Sequence, residues 1–173
     1  MDRLLKFAGQ QGTEREYIDI NHIIEIAVEF PRYFLSNNKI DTIMRLDSKL
    51  PKMLVDGNQL QEVFLNLIIN AESSIVEAHR GKRGKLIITT ETSGDSIYIS
   101  FGDDGIGINK ENLGKIFNPF FTIMEPGTGT GLGLSISKGI ISRHGGEISA
   151  ESQPSKGAIF VIKLPVTVAI RGS

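Results

Sequence analysis

Two pairs of alternating segments, separated by helical patterns, constrain the fold of this chain most. Residues 85–91 and 96–101 alternate apolar and polar side chains, and the Ser-Gly-Asp turn between them is a hairpin signal. Residues 147–152 and 158–164 form a second pair around a turn that contains proline and glycine. Paired strands with helices between them predict an α+β domain, in which a mostly antiparallel sheet carries helices on one face.

The longest helical pattern covers residues 58–79 and presents a broad apolar face. Another helix is predicted over 131–143, because a glycine pair follows that segment closely and is typical of a helix end. The remaining predicted elements are a short helix at 110–116 and strands at 17–20 and 40–46.

A helix is also predicted from Asn21, as its N-cap, to about Leu35. Pro31 lies inside this pattern and predicts a kink or a break. The predicted apolar stripe consists of Ile23, Ile26, Ala27, Phe30 and Phe34.

The composition is that of an ordinary globular domain with 173 residues, 40% of them hydrophobic. The net charge is −1 and no long basic run occurs, so nucleic acid is not an expected partner. The absence of cysteine excludes disulfides, thiolate metal sites and a cysteine nucleophile. The three histidines are far apart in sequence, which argues against a zinc site.

The glycine-rich run at residues 127–133 (GTGTGLG) leads directly into the predicted 131–143 helix. Glycine lets a ligand approach the main chain, and a helix N-terminus attracts anions, so the run could hold phosphate groups. Its spacing matches neither the Walker loop nor the dinucleotide-binding fingerprint. From the glycines alone, a phosphate loop and a flexible linker both stay open.

Glu62, Asn66 and Asn70 recur every four residues on the 58–79 helix and therefore share one face. Asparagine is a mediocre helix former, so two of them in apolar surroundings indicate a function. Amide oxygens can ligate Mg²⁺, and a glutamate can orient or deprotonate a nucleophile. The alternative is a polar helix edge that faces solvent.

Two further motifs lie between this helix and the glycine run. In Asp103-Asp104-Gly105-Ile106-Gly107, the glycines permit close approach of a ligand, and a buried carboxylate can accept a hydrogen bond from an exocyclic amine, as on adenine. Three aromatic residues at 117–121 can anchor a mobile lid. The alternatives are a tight acidic turn and ordinary core packing.

The order of these four motifs resembles the N, G1, F and G2 boxes of the histidine-kinase ATP-binding domain. That family is related to DNA gyrase B, the ninety-kilodalton heat-shock chaperone and the MutL repair proteins. The resemblance covers about residues 17–165. It implies an α/β sandwich, the Bergerat-type ATP-binding fold, with a mixed, mainly antiparallel sheet of about five strands and three helices on one face. The nucleotide would lie between the asparagine helix and a lid.

The resemblance also implies individual roles. Asn70 matches the asparagine that binds Mg²⁺, and Asn66 matches the companion polar position, with a part in metal binding, nucleotide binding and catalysis. Glu62 matches the glutamate proposed to assist phosphoryl transfer, and Asp103 matches the aspartate that recognises the adenine amino group. Further nucleotide contacts are implied at Gly105, Gly107, Ile108, Phe120, Gly129, Thr130, Gly131, Leu132, Gly133 and Leu134.

Two positions depart from the family pattern. Many members carry a basic residue after the asparagine, where this chain has Ala-Glu-Ser-Ser at 71–74. Met124 stands where a phosphate-binding lysine of the lid is often found. The triphosphate charge would then be met by Mg²⁺, by backbone dipoles or by another base such as Lys115 or Lys138.

The implied activity is Mg–ATP-dependent transfer of the γ-phosphate to a histidine on the dimerisation domain of the same parent kinase. From there the phosphate would pass to the receiver domain of a response regulator. His22, His79 and His144 lack the sequence context of the acceptor, so we expect a catalytic fragment. We expect this fragment to be monomeric, its parent to be a homodimer, and its location to be cytoplasmic without direct membrane contact.

The domain boundaries follow from the same resemblance. Residues 1–16 are expected to be the end of a dimerisation helix and a linker, 17–165 the catalytic domain, and 166–173 a tail with the composition of a cloning remnant at its end. The lid at 122–130 is expected to be mobile without nucleotide.

Two other functions stay open. A hydrolytic ATPase of the gyrase or MutL type would need a glutamate base four residues before Asn70, where this chain has Asn66. A non-catalytic module that senses nucleotide or docks a partner is favoured by the two missing basic residues.

Overall fold

The computed structural model describes residues 14–123 and 129–167. Three stretches of the predicted segments lie outside the described residues: 1–13 of the remnant and linker predicted at 1–16, 124–128 of the lid predicted at 122–130, which includes Met124, and 168–173 of the tail predicted at 166–173. The described elements are β1 (Glu16–Ile18), α1 (Ile20–Glu29), α2 (Arg32–Asn37), β2 (Ile40–Leu46), β3 (Met53–Val55), α3 (Gly57–His79), β4 (Gly84–Ser93), β5 (Ser96–Asp103), α4 (Lys110–Leu113), α5 (Gly133–Arg143), β6 (Glu147–Ser152) and β7 (Ala158–Pro165).

Five strands form one sheet in the order β2-β4-β5-β7-β6. The first pair, β2 and β4, is parallel, and the other three pairs are antiparallel. Both predicted hairpins are present, with Ser93 opposite Ser96 and Ser152 opposite Ala158. The prediction of a mixed, mainly antiparallel five-stranded sheet is therefore confirmed.

The helix α3 is the centre of the helical layer. It lies between α1 and α5 and packs on β4 and β5. The buried rings of Phe64 on α3 and Phe101 on β5 lie 5.6 Å apart between centroids, which joins the helical layer to the sheet. The predicted α/β sandwich is confirmed, and its core fixes the polar face of α3 over the ends of the central strands.

The beginning of α1 differs from the prediction. Its N-cap is Asp19, whose carboxylate accepts the Asn21 backbone N–H at 2.9 Å. The Asn21 side chain instead donates to the Asp47 carbonyl at 2.8 Å and accepts the Thr90 hydroxyl at 2.9 Å. Asn21 therefore ties α1 to β4 and to the segment after β2.

The predicted apolar stripe of this region is wrong at three positions. Ile26, Phe30 and Phe34 are 42%, 74% and 57% exposed. The buried stripe of α1 starts at Ile20 and recurs every three or four residues along one face of the helix. Ile26 does not lie on that face. The helix ends before Pro31, as expected, so the buried face of α2 does not continue the stripe of α1. The buried residues of α1 are Ile20, Ile23, Ile24, Ala27 and Val28.

The strand β3 was not predicted. It pairs antiparallel with β1 in a separate two-stranded sheet, with Tyr17 opposite Leu54. Three residues are too few for a clear alternation, so this pairing carries little signal in the sequence. No helix in the two described ranges is long and apolar enough to cross a membrane.

Candidate functional site

A cavity of about 450 Å³ opens between α3, the loop after β5 and the segment that leads into α5. One part of its wall is apolar and includes Ile108, Ile116 and Phe160. The side that α3 forms is polar. A cavity of this size with a few convergent polar groups is typical of a small-molecule site.

A row of polar side chains on α3 faces this cavity. Asn66, Asn70 and Ser74 follow one another at steps of four residues, and all three line the wall. The sequence analysis assigned the two asparagines and not Ser74, although the same four-residue step leads to it. The structure therefore extends the predicted row by one turn, toward Asp103.

Asn66 connects α3 to the start of α5. Its Nδ2 donates to the Gly133 carbonyl at 3.3 Å and to the fully buried Ser137 hydroxyl at 3.4 Å. The amide nitrogen is thus used within the protein, which leaves the oxygen Oδ1 as the atom that can bind a ligand.

The Asp103 carboxylate lies at the inner end of the row. Its Oδ1 accepts the Gly105 N–H at 2.8 Å and the Ser74 hydroxyl at 3.3 Å, and the Ala158 N–H also donates to the carboxylate. Burial raises the pKa of Asp103 above its ordinary value, and these hydrogen bonds oppose that shift only in part. The result is a partly buried acceptor at the cavity wall, held in one orientation.

Gly105 lets this loop approach α3 closely. A Cβ atom at Gly105 would lie 2.0 Å from Ser74 Oγ, so no larger residue fits without displacement of the helix or the loop. Gly105 does not itself line the cavity, whereas Gly107 and Ile108 do. Gly105 is therefore needed for the contact between loop and helix.

The aromatic segment packs against the body of the domain. The Phe117 ring meets the Phe160 ring edge to face at 6.3 Å, and Phe121 lines the cavity. The Phe120 side chain is 75% exposed and is not among the described residues of the wall. Its backbone N–H instead donates to the Gly131 carbonyl at 2.8 Å, which anchors the glycine run.

Within the glycine run, Gly129, Thr130, Gly131, Gly133 and Leu134 line the cavity. The neighbouring side chain Leu132 does not, within the described part of the wall. Gly131 has a φ of +67° and touches the Phe120 backbone so closely that a Cβ would lie 2.5 Å from its carbonyl carbon. The helix α5 starts at Gly133, two residues later than predicted.

The charged side chains of the described cavity wall are acidic. Asp103 and Glu77 line it, and no lysine or arginine does so among the residues described. Of the two predicted replacement bases, Lys138 has its Nζ 5.7 Å from the centre of the Phe117 ring, and neither Lys138 nor Lys115 lines the wall. Glu62 is exposed and also lies outside the described wall.

The donor set fits a hard cation held together with an anionic ligand. Asn66 and Asn70 present amide groups one turn apart on α3, and oxygen ligands of this kind suit Mg²⁺, which keeps several waters and shares phosphate oxygens. The two amides alone would hold such an ion weakly.

Comparison with known proteins agrees with this geometry. Residues 55–168 match the family model described as histidine kinase-, DNA gyrase B- and HSP90-like ATPase. Over 168 residues the chain is 34% identical to the sensor histidine kinase ZraS of Escherichia coli (strain K12). The matched region covers 97% of this chain and 35% of ZraS. The chain thus spans about a third of the length of this curated relative.

Solved structures show the same likeness. The catalytic domain of histidine kinase ThkA in a nucleotide-free form has a TM-score of 0.78 at 31% identity, over 89% of this chain and 97% of that one. A structure of ThkA in complex with the response regulator protein TrrA has a TM-score of 0.74 at 29% identity, over 95% of this chain and 45% of that one.

Proposed function

Because this chain belongs to the histidine kinase-, DNA gyrase B- and HSP90-like ATPase family, we propose that it binds Mg–ATP and transfers the γ-phosphoryl group to a histidine of a separate dimerisation domain. The observation that carries the proposal is the partly buried Asp103 carboxylate at the inner end of a cavity whose wall also holds Asn66 and Asn70. An acceptor at one end and amide oxygens at the other suit a nucleotide that is recognised at its base and at its phosphates.

In the proposed complex, the adenine amino group donates to Asp103. The phosphates extend toward the α3 amides and the glycine run, whose backbone N–H groups and helix N-terminus favour an anion. Mg²⁺, held by the Asn70 and Asn66 amide oxygens, would offset phosphate charge. Asn66 would also steady the start of α5 through its bond to Gly133.

In the transfer step, the bond between the γ-phosphorus and the bridging oxygen breaks and a phosphorus–nitrogen bond to imidazole forms. ADP leaves, and the imidazole loses its N–H proton. Glu62 is exposed on α3 one turn before Asn66, and we propose it as the group that orients or accepts this proton. Catalysis would otherwise consist of positioning and charge stabilisation.

The acceptor histidine is proposed to lie on another domain because the three histidines of this chain are engaged or poorly placed. His144 accepts the Asp56 N–H through Nε2 and donates to the Ile140 carbonyl, and His79 contacts Asp104. His22 lies on α1, away from the wall. We further propose a homodimeric parent, a response-regulator receiver domain as the next phosphate acceptor, and a cytoplasmic location.

The test mixes this chain with labelled ATP, Mg²⁺ and the isolated dimerisation domain of a related sensor kinase. We expect acid-labile phosphate on that domain, with no label when its histidine is replaced by glutamine. The matched control is the Asp103→Asn variant, which should label the acceptor at a strongly reduced rate. Saturable Mg–ATP binding without any transfer would contradict the kinase proposal and favour the nucleotide-sensing alternative.

The hydrolytic alternative predicts a different outcome. A general base would be needed at position 66, and the asparagine there uses its nitrogen to hold the Gly133 carbonyl. We therefore expect negligible steady release of phosphate by the chain alone. Sustained turnover without an added acceptor would show that hydrolysis, and not transfer, is the reaction.

A further inference from the structure

We propose that His79 is a positioning residue for base recognition, because it holds the peptide group whose N–H directs the Asp103 carboxylate. The inference deepens the proposed function and rests on it, since it assumes that Asp103 reads the base of a nucleotide. His79 lies at the last position of α3, outside all four motifs of the sequence analysis.

His79 makes two contacts with the loop after β5. Its Nε2 lies 3.0 Å from the Asp104 carbonyl oxygen and 3.1 Å from Asp104 Oδ1. Both partners are oxygen acceptors, so Nε2 carries a hydrogen and donates. Oδ1 of Asp104 also accepts the Lys85 N–H at 2.8 Å, which ties the same residue to β4.

The Asp104 carbonyl belongs to the peptide group whose nitrogen is that of Gly105. This Gly105 N–H donates to Asp103 Oδ1 at 2.8 Å, and a hydrogen bond from His79 to the carbonyl holds the other end of the same group. Because a peptide group is planar, fixing its carbonyl also fixes the direction of its N–H. A donor on the carbonyl also polarises the N–H and strengthens its bond to the carboxylate.

Ser74 holds the other side of the loop. The Ile106 N–H donates to the Ser74 hydroxyl oxygen at 3.1 Å, and that hydroxyl donates to Asp103. The helix α3 thus grips the loop at two points, Ser74 and His79, five residues apart. Ser74 contacts the carboxylate directly, whereas His79 acts on it through the intervening peptide group.

Three variants of His79 and a matched control at His22 separate the positioning role from a merely structural one. In His79→Phe the ring volume is nearly kept and the donor is lost, whereas His79→Gln keeps a donor on a side chain of similar reach. The matched control is His22→Phe, which removes an exposed histidine whose only described partner is Glu25 at 3.8 Å. Should the phenylalanine variant not fold, His79→Asn takes its place, since its shorter side chain withdraws the donor from Asp104, and the results expected for His79→Phe then apply to it.

The first readout needs no nucleotide. In a proton–nitrogen NMR spectrum, we expect the Gly105 amide proton to move upfield in His79→Phe, to stay near its wild-type position in His79→Gln, and not to move in His22→Phe. An unchanged Gly105 amide in folded His79→Phe would overturn the proposal, whatever the protein binds.

The second readout is the preference for ATP over purine riboside triphosphate, which lacks the 6-amino group. We expect titration calorimetry to show this preference in the wild type, its reduction by about five- to tenfold in His79→Phe, and its recovery in His79→Gln. A purely structural role would weaken both nucleotides equally and keep the ratio, which would refute the proposal. Failure of the wild type to bind either nucleotide would instead refute the proposed function.

Discussion

The substitution Asp103→Asn tests the core of the site because it keeps the shape of the side chain and removes its charge. Asp103 accepts bonds from Gly105, Ser74 and Ala158 while it faces the cavity. An asparagine has one acceptor oxygen in place of two and adds an NH₂ group. That NH₂ must face either a protein donor or the amino group of adenine, so one of these contacts is lost.

The size of the effect follows from the kind of bond that is removed. A hydrogen bond to a charged group contributes about 1.5–3 kcal/mol, and the middle of this range corresponds to about a 40-fold rise in Kd. Because the carboxylate is partly buried, solvent reduces this value less than at an exposed site. We therefore expect Kd for Mg–ATP to rise by about one to two orders of magnitude.

The same residue predicts two opposite pH dependences. Burial raises the pKa of Asp103 in the folded protein, so its favourable contribution to stability is present at low pH and is lost as pH rises through the folded pKa. Nucleotide binding needs the charged form and should strengthen over the same interval, which begins near pH 4, the ordinary range of aspartate. As pH rises, the free energy of unfolding of the wild type falls relative to that of Asp103→Asn, while the affinity of the wild type for nucleotide rises.

The assays are urea unfolding and titration calorimetry, both from pH 4 to pH 7, on the wild type and Asp103→Asn. The difference in free energy of unfolding between the two should change with pH, and the wild-type affinity should rise more steeply than that of the variant. A variant that binds Mg–ATP within threefold of the wild type would refute the role of Asp103 in recognition. A pH-independent difference in stability would refute the argument from burial.

Three further predictions concern other parts of the site. Asn70→Asp should lower the Mg²⁺ concentration needed for half-maximal ATP binding by severalfold, because a carboxylate binds Mg²⁺ more strongly than an amide, and should weaken magnesium-free binding by charge repulsion, both of which calorimetry at graded Mg²⁺ measures. Gly105→Ala should destabilise the fold by about 1–3 kcal/mol in urea unfolding, because its Cβ would meet Ser74 Oγ at 2.0 Å; a neutral result would contradict the close approach. His144→Phe should cost about 1–3 kcal/mol, since the Asp56 N–H at the start of α3 loses its acceptor, and ATP affinity of the folded variant should stay within twofold.

The main sheet was predictable because its strands are long enough to show their period. Residues 85–91 and 96–101 alternate clearly, and a short turn leaves only an antiparallel arrangement for the strands that it joins. Three-residue strands such as β3 carry no comparable pattern. The phase of α1 was missed because Ile26 and Phe30 are apolar yet exposed, and apolar character alone does not show which stripe a helix buries.

The lining of the cavity was predictable where the sequence carries a residue type that local structure disfavours. Asn66 and Asn70 are such residues in a helix interior, and the structure places both at the cavity. Ser74 and His79 were not recognised because neither type is unusual near the end of a helix. Their significance is in contacts with Asp103 and Asp104, which lie 29 and 25 residues away in sequence and meet them only after folding.

The phosphate end of the proposed site has a consequence for cation dependence. Between Lys115 and Lys138 the sequence contains no lysine or arginine, and it contains the acidic Glu125. The described wall adds Asp103 and Glu77 and no cation. On the proposed function, triphosphate charge must therefore be offset by Mg²⁺ and by neutral backbone donors of the glycine run, whose favourable effect at a helix N-terminus is about 0.3–1 kcal/mol per charge. Because these donors are weak, binding should depend more steeply on Mg²⁺ than in a site with a basic lid residue, and the Asn66–Gly133 bond would make the position of α5 sensitive to the same ion.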